Sequence, residues 1–133
     1  MIEKIKVAYI AGLFDGEGDV GTYKYTASKN GKRYLKLTAR IHNTDKAVLD
    51  WVVTTLKVGR VFEDRKGIKK SGNPGRKQCY VYVTAHQKAR IFLKIIYPYL
   101  HIKKDKTKES LHIDKVNGMR KREERGSYKT SRN

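Results

Sequence analysis

The sequence predicts an α+β fold in the order helix-strand-strand-helix-strand-strand-helix, with a four-stranded antiparallel sheet. Three observations predict it. Leu35, Leu37, Ala39 and Ile41 alternate with Tyr34, Lys36, Thr38 and Arg40, the period of a half-buried strand. Val48, Leu49, Val52, Val53 and Leu56 recur at helical spacing. Between such segments stand turn signals, above all Asn30-Gly31.

The elements follow in order. Ile5 to about Asp15 reads as the first helix. A strand from about Val20 to Ala27 turns through Ser28-Lys29-Asn30-Gly31-Lys32 into the alternating strand. Thr44-Asp45 opens the second helix, Lys46 to Leu56. Val58–Glu63 and Gln78–Thr84 form a second hairpin around a long glycine-rich, basic loop, Asp64 to Lys77. Thr84-Ala85-His86-Gln87 matches a capping box for a third helix with Ala89, Phe92, Leu93 and Ile96 on its apolar side, and Pro98 ends it. A more polar helix runs from about Lys104 to Arg122. The domain is placed at residues 1–119, and the charged stretch 120–133 is read as a tail that is flexible without a partner.

Composition bounds the function. At 133 residues the chain is one domain, and a net charge of +18 requires an anionic partner. The charge is laced through the strands rather than held in one tail, so the folded domain presents a basic surface. Helices on one side leave the sheet's Lys-, Arg-, Thr- and Tyr-rich side open, a shape suited to a DNA major groove. No apolar run reaches the ~20 residues that span a bilayer, and the start Met1-Ile2-Glu3-Lys4 is no signal peptide, so an intracellular protein without a membrane partner is expected. Cys79 alone offers neither disulfide nor zinc site and reads as a small buried hydrophobe. His42, His86, His101 and His112 have no metal-ligand spacing, and no nucleophile triad or small-molecule site emerges.

The segment Ile10-Ala11-Gly12-Leu13-Phe14-Asp15-Gly16-Glu17-Gly18 carries the chemistry. Ala8, Gly12 and Gly16 recur every fourth residue, three near-bare positions on one helical face. Each glycine costs a helix about 1 kcal/mol relative to alanine, which close packing, within the chain or against another helix, offsets. Asp15 and Glu17 stand at the helix C-terminus, where the macrodipole opposes a carboxylate unless a cation answers it.

These nine residues resemble the signature of the LAGLIDADG homing endonucleases, with Ile10 for the leading leucine, Phe14 for the middle aliphatic, and Gly16-Glu17-Gly18 for Ala-Asp-Gly. Ile41-His42-Asn43-Thr44-Asp45-Lys46 with Val58-Gly59-Arg60-Val61, and then Tyr97-Pro98-Tyr99-Leu100 with Lys103, resemble later passages of the family in order, over about residues 5 to 115. The resemblance implies a site-specific, metal-dependent double-strand DNA endonuclease of the intron-encoded kind. It implies Glu17 as the catalytic, metal-binding carboxylate and Gly16 as a carbonyl ligand. Lys103 matches the pocket lysine, Asn43 the place of a water-positioning side chain (or a cap of the second helix), and Lys46 a second basic pocket residue.

One signature per chain implies a homodimer on a pseudo-palindromic target, with Ala8, Ala11, Gly12, Asp15 and Gly16 at the seam. Two such carboxylates near phosphates repel, and a hard divalent ion answers them. Mg2+ fits best, Mn2+ as a substitute, with Ca2+ expected to support binding without cleavage. For double-stranded DNA recognition, the polar side of the second strand offers Tyr34, Lys36, Thr38 and Arg40. In the first strand, polarity favours Thr22 and Lys24, whereas the family's register favours Tyr23 and Tyr25, the choice adopted here. Arg60, Arg65, Arg76, Gln78, Tyr80 and Tyr82 complete the set. The alternative function is an RNA maturase or a non-cleaving DNA-binding regulator on the same fold, although a pure binder has no need of an acid aimed at phosphates.

Overall fold

In the computed structural model of the protein, residues 2–64 and 77–130 are described, 122–130 by backbone only. The elements are α1 (Lys4–Glu17), β1 (Gly18–Thr26), β2 (Arg33–Asn43), α2 (Lys46–Leu56), β3 (Arg60–Asp64), β4 (Cys79–Ala85), α3 (Gln87–Ile96), a 3-10 turn (Tyr97–Tyr99) and α4 (Lys104–Thr130). The expected order is therefore the observed one. The strands form a single antiparallel sheet in the order β1-β2-β4-β3.

The β1–β2 hairpin closes at Asn30-Gly31, where Gly31 takes φ +65° and the Asn30 side chain accepts from the Lys32 N–H. The second helix begins at Asp45, whose carboxylate accepts from the Val48 N–H. Leu49, Val52 and Leu56 then face inward, as their spacing predicts. Residues paired directly across strands share a face. One face carries Val20, Leu37, Ala39, Ile41 and Tyr82, all fully enclosed with Ile10, Phe14, Phe92 and Leu93 of the helices above. The other face lies open. It carries Asp19, Gly21, Tyr23 and Tyr25 on β1, and Arg40, Lys36 and Tyr34 opposite them on β2.

Three expectations are corrected. The capping box is absent: Thr84 is a buried strand residue whose hydroxyl donates to the Ala39 carbonyl, and His86 stands at the N-terminus of α3 without a side-chain cap. The matching letters fall in a strand because Thr84 pairs with Ala39 across β2 and β4. α4 continues past Arg122 to Thr130, since Arg, Lys and Glu in this stretch favour a helix and no proline interrupts it. Cys79 is half-buried rather than enclosed.

Candidate active site

The site is built at the point where α1 becomes β1. Glu17 ends the helix and Gly18 begins the strand with no linker. A Cβ at Gly18 would collide with the Phe14 ring, so only glycine lets the chain turn from helix to strand over that core side chain. Glu17 is thereby left exposed at the rim where the first helix meets the sheet.

Asp15, just before it, faces its own chain. Its two carboxylate oxygens accept from the backbone N–H groups of His101 (2.8 Å) and Lys103 (2.9 Å). Burial alone would raise this carboxyl, but N–H donation from His101, Lys103 and Ile102, with the charge of Lys103, outweighs it and holds the group below its ordinary value. The clamp seats the turn ahead of α4, and from that turn the Lys103 ammonium donates to the Asp15 carbonyl at 2.6 Å. Lys103 is thus the cation that answers the negative end of α1.

From the other side, the Asn43 amide nitrogen donates to Glu17 Oε2 at 2.6 Å, and its amide oxygen accepts from the Asp45 N–H at 2.8 Å. Asn43 does not cap α2, since Asp45 supplies that cap; it touches Glu17 and holds the Asp45 N–H at the entry to the helix. Lys46 is not brought to this group. Its ammonium is held by Asp50 one turn along α2 at 2.8 Å, and that bond raises its pKa.

Ala8, Gly12 and Gly16 are solvent-exposed along α1, and a Cβ at Gly12 or Gly16 would meet nothing within 4 Å. Intrachain packing therefore does not account for these glycines. The same side of the helix exposes Ile5 (83%) and Tyr9 (58%), so α1 is apolar both inward and outward. Ala11 and Asp15 depart from the expected seam: Ala11 lies wholly in the chain's own core, and Asp15 is engaged by the turn before α4.

The open sheet face holds part of the expected recognition set, and the structure places the rest elsewhere. Tyr23 and Tyr25 are exposed there, in the register adopted above and not that of Thr22 and Lys24, with Tyr25 stacked on Tyr34 at 5.6 Å. Lys36 shares that face, and Arg60 is exposed on β3 opposite Val83. Tyr80 and Tyr82 do not: they pair with Asn43 and Ile41 on the helix-covered side, and the Tyr82 phenol donates to the Val58 carbonyl at 2.6 Å within the core. Burial pushes that phenol's pKa well above its ordinary value. On β4 the open face belongs to Val81 and Val83. Gln78 turns back on its own strand end, donating to the Cys79 carbonyl at 2.9 Å. Thr38 shares the open face but is only 7% exposed, its hydroxyl buried without a partner. Arg65 and Arg76 lie outside the described residues.

Sequence reasoning also missed Asp19 on this face. Asp19 accepts from Arg40 through both oxygens, Nε at 3.2 Å and Nη2 at 3.1 Å, and this pairing raises the guanidinium pKa further. Counting outward from Asn30-Gly31 would set Asp19 against His42, and the observed register differs by two residues, so the turn signal alone does not give this pair.

Among the described residues no three His, Cys, Asp or Glu side chains converge on a possible metal position, and no helix is long and apolar enough to cross a membrane. What the α1–β1 junction offers a cation is oxygen: the Glu17 carboxylate and the carbonyls of the last helical turn, of which Phe14's accepts from Gly18 and Asp15's from Lys103.

No family model and no curated protein matches the chain in sequence. In structure it resembles the homing endonuclease I-CvuI in complex with its target in the presence of calcium (TM-score 0.72, 18% identity, covering 88% of this chain and 70% of that one). It also resembles the archaeal intron-encoded homing endonuclease I-Vdi141I complexed with DNA (TM-score 0.65, 24% identity, 86% and 70%). A third likeness is to the LAGLIDADG homing endonuclease I-LtrWI bound to target DNA (TM-score 0.63, 21% identity), of which 87% of this chain matches 38% of that one. With these superpositions, the chain has the fold of the LAGLIDADG homing endonucleases, the family whose signature Ile10–Gly18 resembles.

Proposed function

We propose that the chain is one subunit of a homodimeric, divalent-metal-dependent endonuclease that cuts double-stranded DNA at a specific, pseudo-palindromic site. The observation that carries this reading is the placement of Glu17: an exposed carboxylate at a helix end, held by Asn43 and flanked by Lys103, beside an open sheet face that carries Tyr23, Tyr25, Lys36, Arg40 and Arg60. A pure binder gains nothing from an acid aimed at phosphates.

In this reading Glu17 and the Gly16 carbonyl hold Mg2+ together with phosphate oxygens and water, since one carboxylate per chain suits an ion that keeps much of its hydration. Such an ion would supply neutralisation of phosphate charge and activation of water for hydrolysis. Asn43 orients the Glu17 carboxylate, and Lys103 offsets negative charge at the helix end. The outward stripe Ala8, Gly12 and Gly16, continued by Ile5 and Tyr9, is the seam at which two copies bring their carboxylates together. Tyr23, Tyr25, Tyr34, Lys36, Arg40 and Arg60 face the duplex. The solved complexes of I-CvuI and I-Vdi141I with DNA support the binding mode by analogy of fold.

The test is to incubate the protein with a randomised duplex library and Mg2+ and to sequence the cut ends. Discrete cuts are expected, lost in Glu17→Gln and with Ca2+ while binding survives. Cleavage that persists in Glu17→Gln removes this carboxylate from the chemistry; selective binding without any cut favours the regulator reading.

A further inference from the structure

On the open face beside the Glu17 end of β1, four residues form a unit built around one guanidinium. Asp19 and Arg40 are directly opposed on β1 and β2. The carboxylate engages the Nε and Nη2 edge of Arg40 side-on, at 3.2 and 3.1 Å. An arginine has five N–H donors. Asp19 takes two, leaving the terminal edge, both hydrogens of Nη1 and one of Nη2, directed away from the carboxylate. That edge is the one that matches the O6 and N7 acceptors of a guanine. The Tyr23 phenol lies beside the same guanidinium.

Gly21 explains how. Asp19, Gly21 and Tyr23 share the open face of one strand, and a Cβ at Gly21 would stand 3.2–3.4 Å from the Tyr23 phenol oxygen and ring. The ring therefore folds back over the bare glycine toward the Asp19–Arg40 pair. Glycine weakens a strand interior, and here its absent side chain is the space the tyrosine occupies.

We propose that Asp19 is a specificity-determining residue: with Tyr23 and Gly21 it fixes Arg40 so that the guanidinium reads a guanine in each half-site instead of neutralising a phosphate. The inference rests on the endonuclease reading above. Its physical content is a trade. A free arginine on this face would be attracted to any phosphate and add affinity without discrimination. A guanidinium already paired with a carboxylate contributes little net charge, so what remains is directional hydrogen bonding.

The experiment selects bound duplexes from the same randomised library in Ca2+, for the full-length protein and for Asp19→Ala, Asp19→Asn, Arg40→Lys and Gly21→Val. The native protein is expected to prefer guanine at one position in each half-site. Asp19→Ala should lower that preference roughly tenfold and leave the other positions unchanged. It should also steepen the slope of log affinity against log salt by about 0.9 per subunit, as the released Arg40 finds a phosphate. Arg40→Lys should lose the same guanine without the steeper slope, and Gly21→Val, which displaces the Tyr23 ring, should weaken it. A guanine preference unchanged in Asp19→Ala overturns the proposal and leaves the endonuclease reading standing. Flattening at every position in the near-isosteric Asp19→Asn also overturns it, because the pair is then only structural. A native profile without preference at any position sinks the site-specific reading itself, and this inference with it.

Discussion

Asn43 joins the Glu17 carboxylate to the entry of α2: one end of its amide donates to Glu17 Oε2 at 2.6 Å and the other accepts from the Asp45 N–H at 2.8 Å. Because both ends are engaged, the amide plane is fixed and so is the carboxylate it holds. Asn43→Ala is expected to slow cleavage by about 10–100-fold, the usual cost of removing a partner that orients a metal-binding group, with duplex binding retained. Asp45→Ala separates this from a capping effect. It removes the Val48 cap, costing about 1 kcal/mol of stability, and leaves the bond to Glu17 in place. Thermal melts and single-turnover cleavage of a selected duplex distinguish the two: only Asn43→Ala should lose rate.

The Gly12 position tests the seam. A leucine there meets open space within the chain and improves helix propensity by up to about 1 kcal/mol, so the monomer fold should survive or gain. If partner backbones approach along Ala8, Gly12 and Gly16, the same leucine holds them apart. Sedimentation should then show native protein with twice the chain mass and Gly12→Leu with the mass of one chain, both with the same α+β circular dichroism spectrum. A variant that keeps the native mass refutes the seam.

Asp15 gives a pH signature. Its carboxyl is held below the usual carboxylate range in the folded chain by the N–H groups of His101, Lys103 and Ile102, which outweigh the opposing effect of burial. A depressed folded value means the unfolded chain takes up the proton first as pH falls. The stabilisation is therefore complete above the unfolded value, about 3.9, and is lost as pH drops through the lower folded value. Asp15→Asn keeps one acceptor oxygen for two N–H donors and should cost about 1–3 kcal/mol at pH 7. Denaturant midpoints of the two proteins should converge on acidification below about pH 4. A gap that stays constant across that window would detach Asp15 from the effect.

The backbone order and the core helices were legible because their signals are local: the Asn30-Gly31 turn, the spacing of Leu49, Val52 and Leu56, and the alternation through Leu37, Ala39 and Ile41. So was the position of Glu17, with Lys103 and Asn43, through the resemblance of the signature and the passages after it. The face of β4 was not. Cys79-Tyr80-Val81-Tyr82-Val83-Thr84-Ala85 alternates aromatic with aliphatic, so period two separates the faces without telling which is covered, and a shift of one residue exchanges them. What decides is distant: Tyr82 reaches the Val58 carbonyl, 24 residues earlier, and tilts against Phe92 on α3. The partners of Asp15 were illegible for a similar reason, lying at 101 and 103.

The corrected face of β4 yields the last prediction. Tyr82 is fully enclosed and donates within the core, whereas Arg60 stands exposed on the open face of β3 across from Val83. Tyr82→Phe leaves the buried Val58 carbonyl without its donor, which should destabilise the fold by about 1–3 kcal/mol, read as a lower denaturant midpoint. Duplex affinity at a temperature where the variant is folded should not change. Arg60→Ala should do the reverse, with stability within about 0.5 kcal/mol of native. Its duplex affinity should fall, and the salt slope should shallow by about 0.9 for each phosphate contact removed. Measured together, the two variants assign the faces independently of any cleavage assay. Weakened binding in folded Tyr82→Phe would return that tyrosine to the recognition surface.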